Sequence, residues 1–179
     1  MVRSKTLGNI SELTLVNPIK PGMIAGQQRS HRTQLIETLR ALYSRHARGI
    51  PTAPSLLGTI HFARWFIVDA PAPPCGCPPA VPQPGSLVLT TNFDGSLDTY
   101  LREFTLRIPE EIDSLWSNCV GYPEDGCRDF DRFYRWIRTY QVETLAFIAD
   151  DRDTTVGDLR LWRAQNSAST SAAAAHHSN

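Results

Sequence analysis

The sequence predicts an α+β fold, a four-stranded antiparallel sheet carrying its helices on one face. Three observations lead there. Residues 59–69, TIHFARWFIVD, form a strand-prone run that is apolar on both sides; residues 86–93, SLVLTTNF, form a second run near enough to pair with it antiparallel; and the segments around them carry apolar residues at helical spacing. Side chains alternate along a strand, so Thr59, His61, Ala63, Trp65 and Ile67 share one side of 59–69, and Ile60, Phe62, Arg64, Phe66 and Val68 the other. With large apolar groups on both sides, this strand is expected at the centre of a layered domain or in a sheet whose second face is closed by a partner.

The chain begins its regular structure at Leu13, Thr14, Leu15 and Val16, a short β-prone run ended by Pro18, Pro21 and Gly22. Over 30–45, Leu35, Ile36, Leu39, Leu42 and Tyr43 recur at helical spacing, and Gly49, Pro51 and Pro54 stop that amphipathic helix. Between the two strand runs lies a segment too rich in proline for helix or sheet, a long loop over 70–85. Asp94, Gly95 and Ser96 make a turn and a helix cap before Leu97, Tyr100, Leu101 and Phe104. Pro109 opens a further helix with Ile112, Leu115 and Trp116 on its apolar stripe. Phe130, Phe133, Tyr134, Trp136 and Ile137 mark an aromatic helix, VETLAFIA at 142–149 reads as a last strand, and Thr154 or Thr155 caps a closing helix through Arg163. From Asn166 the Ser and Ala residues offer no core pattern and are expected to be disordered. The order is βαββαβ, the ferredoxin-like succession, with extra C-terminal helices: one domain over 1–165 with its insert at 70–85, and a tail at 166–179.

Composition narrows the function classes. The chain has 179 residues, 41% of them hydrophobic, enough for one core, and its 18 basic and 18 acidic residues cancel. A neutral chain has no overall field to draw it onto nucleic acid or anionic lipid, so no nucleic-acid partner is expected. No apolar run approaches the roughly 20 residues of a membrane helix, and MVRSKTLGNISEL lacks a signal-type apolar stretch; a soluble cytoplasmic protein is expected. Cys75 and Cys77 lie in the proline-rich loop, while Cys119 and Cys127 flank a turn, a spacing unlike the usual zinc patterns, so no metal is expected.

GTIHFARWFIVD, LTTNFDGSLDTYLREF and WSNCVGYP resemble the marks of a group of largely uncharacterised microbial proteins, in which HFARW, an NFDGS-type turn and a WSNCVGYP-type corner occur together. The resemblance covers roughly residues 17–158. It implies a ferredoxin-like, dimeric α+β-barrel type of protein, and it brings no activity with it. The proline-rich insert and the Ser/Ala tail depart from the group's compact pattern.

Several residues are candidates for chemistry. Arg64 interrupts an apolar strand, and a guanidinium there pairs with a carboxylate, for which Asp94 at the end of the neighbouring strand is the candidate, or binds an anionic ligand. His61 faces away from Arg64 by parity and lies beside Trp65; it is the candidate general base or haem ligand, and equally a satisfied core residue. Asn92, Asp94, Gly95, Ser96 and Asp98 fit helix capping better than a calcium loop or a phosphate cradle, and Asn92 is also a candidate ligand contact, with Arg64 and Trp65. Trp116, Asn118 and Tyr122 form an aromatic and polar corner suited either to a ligand pocket or to packing. No Walker loop, dinucleotide fingerprint, HExxH motif or Ser-His-Asp order is present. The expectation is a protein that binds a small apolar molecule, a homodimer, with a chamber lined by His61, Trp65 and the 116–122 corner, extending to an oxidoreductase, cofactor-poor oxygenase or isomerase. A non-catalytic interaction module using the open sheet face and the proline-rich loop is the alternative.

Overall fold

The computed structural model describes residues 4–69 and 84–176, with side chains placed for all but 53–54 and 168–176. The first strand, β1 (Thr6–Leu7), turns back through Gly8 onto β2 (Ile10–Pro18). Gly8 has φ 61°, and a Cβ there would stand 2.2 Å from the Arg152 carbonyl oxygen, so this turn requires glycine. Helix α1 (His31–Ala47) starts where the Ser30 hydroxyl accepts the Thr33 N–H at 3.1 Å. A short helix not read from the sequence, α2 (Ala53–Leu57), leads into β3 (Ile60–Val68), and β4 (Ser86–Asp94) follows beyond the undescribed segment that holds most of the proline-rich insert. Ser96 caps α3 (Leu97–Arg107), Pro109 opens α4 (Pro109–Trp116), and Asp129 caps α5 (Phe130–Tyr140). The last helix, α6 (Val156–His176), opens on a reciprocal cap: the Thr155 N–H reaches Asp158 Oδ2 at 3.0 Å, and the Asp158 N–H reaches Thr155 Oγ1 at 3.1 Å. It continues through the residues from Asn166 that were expected to lack structure.

The sheet is four-stranded and antiparallel in the order β1-β2-β4-β3. The expected pairing of 59–69 with 86–93 forms, Trp65 opposite Leu89 and Ile67 opposite Leu87, but it is β4 that sits at the centre and β3 that forms an edge. Leu13, Leu15, Leu87, Leu89 and Phe93 project from the sheet into one core with Leu35, Leu101, Leu115, Trp116 and Phe133 of the helices, each 1% exposed or less. Trp65 and Ile67 pack on that same core. The open face therefore belongs to the other parity: Phe62, Phe66 and Val68 are 76%, 40% and 48% exposed. A strand apolar on both sides carries no signal for which side meets the helices; its register against β4 decides.

Residues 142–149 are not a strand. Gln141 bridges Leu15, the Val142 N–H donates to the Thr14 carbonyl at 2.9 Å, and the Thr144 hydroxyl donates to Glu12 Oε2 at 2.7 Å. Further along, the same edge of β2 is taken: β1 pairs with Ile10 and Ser11, and the Glu12 N–H donates to the Lys5 carbonyl. With no free edge to continue along, the segment leaves the sheet, and Leu145 and Ile148 stand 88% and 90% exposed. The fourth strand thus comes from the N-terminus, and the complete βαββαβ succession is not realised among the described residues. No helix among them is long and apolar enough to cross a membrane.

Candidate functional site

The two sides of the sheet carry two separate sites, and β3 lies between them. On the helix side a cavity of about 320 Å³ opens between β3, α1, α3 and α4. Leu39, Leu42, Trp65, Phe104 and Ile112 wall it, with Tyr100 buried at its base and His46 and Glu111 as polar lining. Ala63 faces this side yet is exposed, which marks where the helices stop covering β3. Tyr100 donates to or accepts from the Thr91 hydroxyl at 3.0 Å, and burial pushes its phenol pKa well up, so it is a neutral floor. His46 holds Thr52 through Nδ1 at 2.9 Å.

The second site depends on a break in the alternation of β3. Ile60 pairs with Phe93 and Phe62 with Asn92, so His61 is the extra residue of a bulge. The bulge keeps Ile60 buried on the helix side and sends His61 and Phe62 together to the open face, where Arg64 also lies, opposite Thr90. His61 Nε2 meets Asp94 Oδ1 at 2.7 Å, and Asp94 Oδ2 accepts the N–H of Val156, the first residue of α6, at 2.9 Å. Both side chains are largely buried, 10% and 16% exposed. Around them Ile10, Phe62, Asn92, Phe147, Asp151 and Leu159 line a pocket of about 390 Å³. The Asp151 carboxyl is held below the usual carboxylate range, first by the Thr154 hydroxyl, then by the N–H groups of Asp153 and Thr154, with nearby His61 adding to it.

The single chamber expected from His61, Trp65 and the 116–122 corner is thus divided. Trp65 lines the helix-side cavity, while His61 and Asn92 line the pocket on the opposite face. The Arg64–Asp94 pair does not form, because Asp94 is taken by His61 and Val156, and Arg64 is exposed with no ion pair among the described residues. Arg64 borders the helix-side cavity from the strand edge. Trp116, Asn118 and Tyr122 line neither of these two sites. Trp116 is fully buried with its ring 5.2 Å from Trp65 and 5.6 Å from Trp136. Asn118 donates to the Ser114 carbonyl and meets His31, and the Tyr122 hydroxyl donates to Asp113. Cys119 and Cys127 are buried free thiols; Cys75 and Cys77 lie outside the described residues.

The residues around His61 do not suit haem. The pocket carries Asp150 and Asp151, and no lysine or arginine lines it to receive the propionates. Sequence reasoning missed His46 and Thr52 beside one site and Asp150, Asp151 and Thr154 beside the other. The last three had a signal, an acidic pair directly before a helix cap, but nothing in the sequence joined it to His61. Comparison with protein-family models, curated proteins and solved structures found no match for this chain.

Proposed function

We propose that this chain binds a small apolar molecule, and the helix-side cavity carries the reading. Its volume of about 320 Å³, its aliphatic and aromatic walls and its few polar groups are the features of small-molecule sites. The HFARW, NFDGS and WSNCVGYP resemblance supports it through a ferredoxin-like, dimeric α+β-barrel group of proteins. Homodimerisation through the open face belongs to the same reading, supported by the exposure of Phe62, Phe66 and Val68. An extension to an oxidoreductase or a cofactor-poor oxygenase or isomerase belongs instead to the open-face pocket, where His61, its imidazole oriented by Asp94, is the group for acid–base work. The same exposed residues favour a second reading, a non-catalytic module that docks a protein partner on the open face.

An environment-sensitive apolar dye tests the cavity. It should bind saturably, and Ala63→Phe, which builds from β3 into the cavity, should weaken it by about tenfold while the melting curve is retained. Dye binding that is absent, or indifferent to Ala63→Phe, rejects the cavity reading. A chain that stays monomeric throughout a sedimentation-equilibrium concentration series rejects the dimer.

A further inference from the structure

The pocket on the open face has a chemical bias that the helix-side cavity lacks. The bond to Asp94 uses Nε2, so Nδ1 is the ring nitrogen left to the pocket, with no hydrogen-bond partner among the described residues; in the tautomer that donates Nε2–H to Asp94, Nδ1 is an acceptor. The ring is nine-tenths buried, at 10% side-chain exposure, and lines the pocket. Asp150 and Asp151 add carboxylates to the same wall, and the Asn92 amide adds a further oxygen. No lysine or arginine lines it. Apart from the adaptable Asn92 amide and the Thr154 hydroxyl, which is engaged with Asp151, the polar wall consists of acceptors and negative charge. Facing it are two aromatic rings, Phe62 and Phe147, and the aliphatic side chains of Ile10, Ile148 and Leu159. Phe62 and Ile148 are 76% and 90% exposed, apolar surface that a ligand body would withdraw from water.

We propose that this pocket binds a small organic ammonium ion carried on an apolar body, its N–H groups meeting Asp150, Asp151 and the free nitrogen of His61, its body lying between Phe62 and Phe147. An ammonium supplies donors and positive charge where the wall offers acceptors and negative charge, and aromatic faces attract the cation. An anion would meet two carboxylates, and a neutral alcohol would meet them with a single donor. The site is on the opposite side of the sheet from the apolar cavity and does not rest on ligand binding there.

Three probes with the same ring and differing heads test it: phenethylammonium, phenethyl alcohol and hydrocinnamate, titrated into isotopically labelled full-length chain above the ordinary histidine range and followed by amide and imidazole chemical shifts. Phenethylammonium should bind about tenfold tighter than the alcohol, with hydrocinnamate weakest, and should move the His61 and Phe62 signals. Asp150 and Asp151 are exposed, so the double substitution Asp150→Asn with Asp151→Asn should keep the fold, lower ammonium affinity to that of the alcohol and leave the alcohol unchanged. Phe62→Ala should weaken the ammonium and the alcohol alike. Equal affinity for ammonium and alcohol, tightest binding by hydrocinnamate, or no shift at His61 with any probe overturns the proposal.

Discussion

Asp94 ties three elements together with two oxygens: Oδ1 on His61 in the bulge of β3, Oδ2 on the free N–H at the start of α6, and its own backbone at the end of β4. Removing it strands a largely buried imidazole and leaves the Val156 N–H at the start of a long helix without its acceptor. Asp94→Ala should cost about 1–3 kcal/mol in urea unfolding, Asp94→Asn less because its amide oxygen still accepts, and Arg64→Ala no more than about 0.5 kcal/mol. Equal losses from Asp94→Ala and Arg64→Ala would restore the pair that the sequence suggested. That suggestion failed for a local reason. Alternation is a reliable rule within an unbroken strand, and it puts His61 and Arg64 on opposite sides; one extra residue at His61 reverses the relation and brings both to the same face. A bulge has no signature in TIHFARW, since neither glycine nor proline marks it. His61 and Asp94 both stood out in the sequence, but their partnership was not legible there.

Apart from the short α2, helices were more legible than strands, because each opens on a residue that marks a helix start: Ser30, Ser96, Asp129 and Thr155 as caps of α1, α3, α5 and α6, and Pro109 as the first residue of α4. Caps are local chemistry, readable within four residues. Strands are completed by distant partners, and residues 142–149 show the consequence: VETLAFIA has strand propensity, but the edge it needs is held by Lys5, Thr6 and Leu7. Burial separates the two descriptions experimentally. Leu145→Ser should change stability by no more than about 0.5 kcal/mol, whereas Leu15→Ala, in β2 at the centre of the core, should cost about 2–5 kcal/mol. A loss above about 2 kcal/mol at Leu145 would mean that this segment is covered after all, as the last strand of a sheet would be.

At the scale of the molecule, the α+β class and the antiparallel sheet followed from the strand-prone runs and the helical periods, while strand order depended on contacts between residues far apart in sequence. The core that results is dry enough to shift the titration of thiols with no role in either site. Burial pushes the thiols of Cys119 and Cys127 up to about 12 from their ordinary 9.0; the Lys20 charge offsets this in part at Cys119, while the Asp113 carboxylate adds to it at Cys127. The phenols of Tyr100 and Tyr122 are raised as well, each chiefly by burial. Above the ordinary thiol value the unfolded chain releases protons that the native chain still holds, so the folded state loses ground as pH climbs. As far as these two thiols are concerned, stability should be level below about pH 9.0 and should fall steadily from there to about pH 12. Urea midpoints measured along that range, together with thiolate absorbance of the native protein, check it. Native thiolates forming near the ordinary value would place Cys119 and Cys127 in contact with water and contradict the packing of α4 and the turn after it around Trp116 and Asp113.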